Sequence, residues 1–286
     1  MIAIDWGTTS LRAYLVEDGI VVSSRSTEQG VLSLSLVDFK RVFDDITQDW
    51  AGDVYLSGMV GSSKGWIETP YCETPFPLPN LSDHLVDISQ LTDRPTWIVP
   101  GVKQPSPVNM MRGEEVQTLG AITEQPGADC IILCGTHSKH VLVSELQLTR
   151  FDTFLTGELY SILQQHSILA GTEEWGEADF LLGVSNSASS MSLLQQLFTV
   201  RAKTLSEMIQ FPRAYLSGLL IGTEIHNAAL LQDARYCTIV GSKRLMALYE
   251  LALSSSYPDM NLYLLPAEEA TLTGLQIIHR RHRDTI

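Results

Sequence analysis

Ile2-Ala3-Ile4-Asp5-Trp6-Gly7-Thr8-Thr9-Ser10 opens the chain with an apolar strand, an acid and a Gly-Thr-Thr-Ser turn, and Leu11-Arg12-Ala13-Tyr14-Leu15-Val16 follows as a second strand. The pattern recurs at Ile131-Ile132-Leu133-Cys134-Gly135-Thr136-His137-Ser138, which runs into Lys139-His140-Val141-Leu142-Val143. Setting Gly7 on Gly135 also matches Thr8 with Thr136 and Ser10 with Ser138. Internal self-similarity reports a repeated structural unit before any single motif is read. Two copies of one strand–turn–strand unit predict two similar lobes facing each other across a cleft. The copies differ at one informative position, Asp5 in the first and Leu133 in the second.

A Gly-Thr turn between strands gathers backbone N–H groups and hydroxyls in one place, and such nests hold phosphate oxygens without a large net charge. Two of them suit the β- and γ-phosphates of a nucleotide. The single carboxylate, Asp5, suits Mg²⁺, which keeps most of its waters and takes one or two carboxylates beside phosphate. Gly241-Ser242, between a strand and a helix, is a third polar turn and offers room for an adenosine. Neither a Walker A sequence nor a Gly-x-Gly-x-x-Gly after a strand is present, which argues against P-loop and dinucleotide folds.

Around these turns the pattern is α/β. Residues 2–7, 11–17 and 20–27 read as a meander with Asp18-Gly19 as a hairpin turn. Leu36, Val37, Val42, Phe43, Ile46 and Trp50 mark an amphipathic helix over 36–50. Strands follow at 53–57 and 97–101, with a proline-rich irregular stretch between them (Pro70, Pro75, Pro77, Pro79, Pro95). A helix is expected from Met110 to Ile122 and a second meander over about 130–155. Further helices are expected at 157–169, 177–186, 189–197, 204–209 and 212–231. The chain then reads strand 236–240, a helix to about 254, strand 262–265 and a basic-ended helix 267–283.

The 286 residues carry 33 acids against 19 bases, a formal net charge of -14. Nucleic-acid affinity rests largely on Lys and Arg, so a phosphate-backbone binder is disfavoured. The four cysteines (Cys72, Cys130, Cys134, Cys237) form no Cys-x-x-Cys pair and read as packing residues. No apolar run approaches the ~20 residues of a membrane span. The N-terminus enters a strand directly, without the basic region of a signal peptide. A cytoplasmic protein, with no nucleic-acid or membrane partner and with an oligomer possible, is the expectation.

Met111-Arg112-Gly113-Glu114-Glu115 precedes the second turn. Acids in a first helical turn compensate the helix dipole, and a carboxylate there can also take a proton from an attacking hydroxyl. His137 and His140 are weaker bases on this reading, next to Lys139 in a polar turn.

Asp-Trp-Gly-Thr-Thr-Ser-Leu-Arg, Gly-Met-Val-Gly-Ser with Gly-Trp shortly after, Met-Arg-Gly-Glu-Glu, Gly-Thr-His-Ser-Lys, Thr-Gly-Glu-Leu and Leu-Ser-Gly-Leu-Leu-Ile-Gly occur in this order. Together they resemble the 2-dehydro-3-deoxygalactonokinases of the actin-like ATPase and sugar-kinase superfamily, from Ile2 to about Ile278. The resemblance implies two ribonuclease-H-like lobes with ATP between them, placed at 1–112 and 113–286, the last helix free to return to the first lobe. It implies ATP- and Mg²⁺-dependent phosphorylation of 2-dehydro-3-deoxy-D-galactonate at its terminal hydroxyl, a step of galactonate breakdown. By matching positions it assigns Asp5 to the metal and Gly7, Thr8 and Thr9 to the first phosphate motif. Gly135, Thr136 and His137 fall in the second motif, and Gly241 and Ser242 in the adenosine motif. Glu114 matches the catalytic base, with Glu115 second. Arg12, Arg112 and Arg201 are candidates for the sugar-acid carboxylate, and Gly61, Ser62, Trp66 and Glu158 for other substrate contacts. The second motif lacks the superfamily's usual acid, which concentrates metal binding on Asp5. An ATPase with a conformational output and a phosphatase of the same superfamily are the competing readings.

Overall fold

The computed structural model describes residues 1–171 and 174–285. It forms two compact units. The first comprises Met1–Pro126, Val143–Phe151 and the segment from Ala267, and the second comprises Gly127–Leu142 and Asp152–Pro266.

In the first unit, β1 (Ile2–Trp6), β2 (Leu11–Glu17) and β3 (Ile20–Thr27) form the expected meander. Helix α1 (Asp38–Thr47) leads to β4 (Val54–Ser57), then come short strands β5 (Tyr71–Glu73), β6 (Phe76–Pro77) and β7 (Val86–Asp87). Helix α2 (Ser89–Thr92), strands β8 (Thr96–Ile98), β9 (Gly101–Pro105) and β10 (Val108–Met111), and helix α3 (Glu114–Glu124) complete this segment. The main sheet has the order β3-β2-β1-β4-β8-β7. β1 runs antiparallel to β2, with Asp5 opposite Arg12, and parallel to β4, with Asp5 opposite Ser57. β1 is central and almost wholly buried, and Phe39, Val42, Phe43 and Ile46, spaced for one face of α1, close its core together with Trp6 and Leu56.

In the second unit β11 (Cys130–Leu133) and β12 (Ser138–Ser144) repeat the β1–β2 hairpin. β13 (Gln147–Phe154) follows, and its Gln147 and Leu148 pair with Pro77 and Phe76 of β6 in the first unit's share of that strand. Helices α4 (Thr156–His166), α5 (Glu177–Ser187), α6 (Leu193–Leu205) and α7 (Pro212–Asn227) precede β14 (Tyr236–Gly241) and α8 (Lys243–Ser256). β15 (Asn261–Pro266) and α9 (Ala267–Thr285) end the described chain. β11 is antiparallel to β12 and parallel to β14, which is parallel to β15. The order β12-β11-β14-β15 therefore repeats β2-β1-β4-β8. The sequence repeat is a topological repeat.

Three expectations are revised. Residues 108–111 are strand β10, paired with β9, and the helix expected from Met110 starts only at Glu114, after Gly113 at φ 101°. The helix expected at 189–197 starts at Leu193, where Gln195 Oε1 accepts the Ser192 N–H (3.1 Å) in a capping box, and it runs on to Leu205. It absorbs the start of the helix expected at 204–209. In the first unit α3 packs on α9. A Cβ on Gly120 would sit 1.9 Å from Ala270 O, so only glycine permits this helix contact. No described helix is long and apolar enough to cross a membrane.

Candidate active site

In the first unit the carboxylates gather around the end of β1. Asp5 keeps 26% of its side chain open and faces Arg12 Nη1 at 4.0 Å. Its carboxyl is pushed up to about 6, chiefly by burial; Arg12 opposes this, and the charges of Glu114 and Glu268 add to it. Burial raises the Tyr14 phenol as well, and its hydrogen bond to Glu268 adds to this. The Gly7–Ser10 turn is held by the Gly7 N–H donating to Ser10 O (2.9 Å), and Val31 N–H and Leu32 N–H donate to Gly7 O and Thr8 O. Thr8 and Thr9 are exposed.

The structure separates the two glutamates of α3. Glu114 is half-buried, and its Oε2 accepts the Arg112 N–H at 2.9 Å. Glu115 is fully buried, both its oxygens receive the Gly113 N–H at 2.8 Å, and burial followed by the Glu114 charge pushes it up to about 8. Arg112 is buried too. It donates to Thr69 Oγ1 and Thr69 O and lies over the Tyr71 ring at 4.2 Å. Gly61 adjoins it, since a Cβ there would meet Thr69 Oγ1 at 2.8 Å and Arg112 Nη1 at 2.9 Å. Ser62 is buried, with its Oγ accepting from Lys64 N–H at 3.3 Å. Trp66, partly buried, packs against the core: it stacks on Phe39 and meets Trp6 edge-on.

In the second unit Gly135 and Thr136 line a pocket of about 310 Å³, with Thr156 and Gly157 beside them and Tyr160, Trp175 and Tyr249 as aromatic walls. Arg213 and Arg244 also border it. The start of α4 is locked to the Gly135-Thr136 turn: Glu158 N–H donates to Thr136 O at 2.9 Å, and His137 Nε2 is hydrogen-bonded to Glu158 Oε2. Gly241 is buried against Cys134, and Ser242 caps α8 by accepting Leu245 N–H. Arg201 does not border the pocket; it lies on the exposed face of α6.

Residues 5–278 match the family model for 2-keto-3-deoxy-galactonokinase. The chain belongs to the 2-keto-3-deoxy-galactonokinase family. It is 33% identical over 270 residues to the 2-dehydro-3-deoxygalactonokinase of Escherichia coli K12, covering 91% of each chain. A solved Sinorhizobium meliloti protein, described provisionally as a 2-dehydro-3-deoxygalactonokinase, superposes with a TM-score of 0.87 at 31% identity, over 98% of both chains. Component A of Acidaminococcus fermentans (R)-2-hydroxyglutaryl-CoA dehydratase shares the fold, with a TM-score of 0.58 at 12% identity over 99% and 98% of the chains. The fold is thus the mixed α/β one of actin-like ATPases and sugar kinases, and kinase membership makes ATP and a small sugar acid the substrates.

Sequence reading assigned no site role to several residues near these turns, apart from weighing His140 as a base. Glu268 opens α9 and adds to the charge around Asp5. Glu224, His140, Tyr249, Thr156 and Ser138 form a buried network in the second unit. Glu224 had one visible signal, being a lone acid in the apolar run Leu219-Leu220-Ile221-Gly222-Thr223-Glu224-Ile225.

Proposed function

We propose that this chain transfers the γ-phosphoryl group of ATP to the terminal (6-) hydroxyl of 2-dehydro-3-deoxy-D-galactonate in galactonate breakdown. The observation that carries the reading is the duplicated turn. One copy sits among carboxylates (Asp5, with Glu114 and Glu268 acting on it), and the other borders a pocket with aromatic walls and arginines. Gly135, Thr136 and the Gly241-Ser242 turn hold the nucleotide, and Gly7, Thr8 and Thr9 meet its terminal phosphates. Glu114 accepts the proton of the sugar hydroxyl as its oxygen bonds to the γ-phosphorus, and the bond to the ADP oxygen breaks. Arg12, half exposed beside Asp5, is better placed for the sugar-acid carboxylate than Arg112, whose guanidinium is engaged with Thr69.

The donor set fits Mg²⁺. Asp5 is a partly open carboxylate under pressure from two neighbouring acids, a burden that a divalent cation relieves. Among the described residues no three His, Cys, Asp or Glu side chains form a metal-binding group. Mg²⁺ does not need three, because water and phosphate complete its shell. Held by Asp5, it would neutralise phosphate charge during transfer.

The test is ADP release, followed by a coupled assay, with 2-dehydro-3-deoxy-D-galactonate, its gluconate-derived epimer and no acceptor. Turnover that depends on the galactonate-derived acid supports the reading. ATP consumption indifferent to any acceptor points to an ATPase, and phosphate release from a phosphorylated acid points to a phosphatase.

A further inference from the structure

Helix α6 is apolar on two faces. Its inner face is core: Val200 is buried with Leu216 and Leu219, and Leu193 and Leu197 pack against that cluster. Its outer face repeats the pattern in the open. Leu194, Phe198 and Leu205 are 81%, 63% and 68% exposed, and Met208, beyond the helix end and after Glu207 at φ 54°, is 65% exposed. Spacings of four and seven residues put Leu194, Phe198, Arg201 and Leu205 on one side of the cylinder. A helix apolar on both sides belongs between two layers. Among the described residues no second layer covers the outer face.

We propose that this face pairs with the same face of a second copy of the chain, the two α6 helices crossing antiparallel about a two-fold axis. The stripe is self-complementary in that arrangement. Leu194 meets Leu205 at each end, Met191 meets Met208 beyond them, and Phe198 meets Arg201 on either side of the axis. α6 carries no acid, and Arg201 is the one charge on the stripe. Antiparallel pairing sets that guanidinium over the partner's Phe198 ring, where a cation is stabilised. This matters for a chain of net charge -14, whose copies otherwise repel. The stripe with Met191 offers about 600 Å² a copy, so a symmetric pair removes about 1,200 Å², the lower end of the range for stable specific interfaces. Two-fold pairing is also the commonest closed assembly.

Sedimentation velocity at tens of micromolar tests this. The wild type should sediment as two chains. Leu194→Lys and Leu205→Glu should each sediment as one chain with unchanged helical content. The double variant L194K/L205E should regain the two-chain mass, because the antiparallel register sets each new cation against a new carboxylate. Phe198→Ala, which only truncates an exposed ring, is the milder arm and should weaken association at least about tenfold. A wild type of one-chain mass overturns the proposal. So do single variants that stay paired, a double variant that does not recover, or an association unaffected by Phe198→Ala.

Discussion

His140 Nε2 lies 2.7 Å from Glu224 Oε1, and both side chains are sealed from solvent. The other oxygen of Glu224 receives Tyr249 Oη at 2.8 Å and Thr156 Oγ1, and Tyr249 Oη also meets Ser138 Oγ at 2.7 Å. One carboxylate on α7 thus ties together the strand leaving the Gly135-Thr136 turn, the start of α4 and the middle of α8. Thr156 and Tyr249 also line the pocket. A buried carboxylate persists only when its lone pairs are filled.

Glu224→Ala strips two buried donors, His140 and Tyr249, and the half-buried Thr156 hydroxyl of their acceptor. Leaving a buried donor without its acceptor costs about 1–3 kcal/mol, so the variant should unfold at clearly lower urea. Glu224→Gln keeps the volume and one accepting oxygen, so it should fold but raise the KM for ATP through displacement of Thr156 and Tyr249. Equal urea midpoints for wild type and Glu224→Ala would show that the network contributes nothing to the fold.

Gly157 is where α4 touches the Gly135-Thr136 turn, the proposed second phosphate turn. A Cβ there would lie 2.4 Å from Gly135 O and 2.9 Å from Thr136 Cα, and backbone cannot yield as a flexible side chain does. Gly157→Ala should therefore push the turn out of shape and weaken binding of a non-hydrolysable ATP analogue at least tenfold, roughly 1.4 kcal/mol. Gly127→Ala, with nothing within 4 Å of the added Cβ, is the matched control. Calorimetric titration giving equal affinities for the two variants would dissociate the turn from the nucleotide.

The duplicated hairpins were legible because β-branched runs, a Gly-Thr turn and period-two alternation coincide within fifteen residues. Each lobe's parallel strands followed from apolar runs that end in glycine turns. The β9–β10 pair was not legible. Val108-Asn109-Met110-Met111 has no pattern separating a strand from a helix start, and the decisive φ of Gly113 is not written in its neighbours. Glu224 and His140 stand 84 residues apart, so no local spacing couples them. Arg112 was legible as an arginine near a cluster of acids, but not as one whose guanidinium is engaged with Thr69. Glu114 and Glu115 are adjacent in sequence and alike in type; only burial tells them apart.

That difference in burial has a pH signature. The Glu115 carboxyl is raised from 4.5 to about 8, by burial first and by Glu114 second, against Gly113 N–H and Arg112. The native state therefore holds a proton through a window in which the unfolded chain has lost it. The stabilisation is whole below the unfolded value and is lost as pH rises through about 8. Glu115→Gln carries no such proton. Its melting temperature should gain on that of the wild type between about pH 5 and about pH 9, with a ceiling of a few kcal/mol at ~1.4 kcal/mol per pH unit. A constant difference across that range would mean that Glu115 is ionised throughout in the native protein.

The same pair bears on the proposed proton transfer. Glu115 is enclosed, with both oxygens on the Gly113 N–H, so it has no path to a substrate hydroxyl. Glu114 stands one residue earlier, half open, and its field reaches Asp5. General-base contributions run to ~10²–10⁴-fold. Glu114→Gln preserves shape and hydrogen-bonding reach but cannot take the proton, so kcat should fall within that range, with nucleotide affinity and melting temperature little changed. Glu115→Gln should leave kcat within a few-fold. A kinetic loss confined to Glu115→Gln would move the base one residue along the helix and require α3 to open before catalysis. If both variants keep their turnover, the proton leaves by another group. His137, on the second phosphate turn and already paired with Glu158, is then the side chain to replace next.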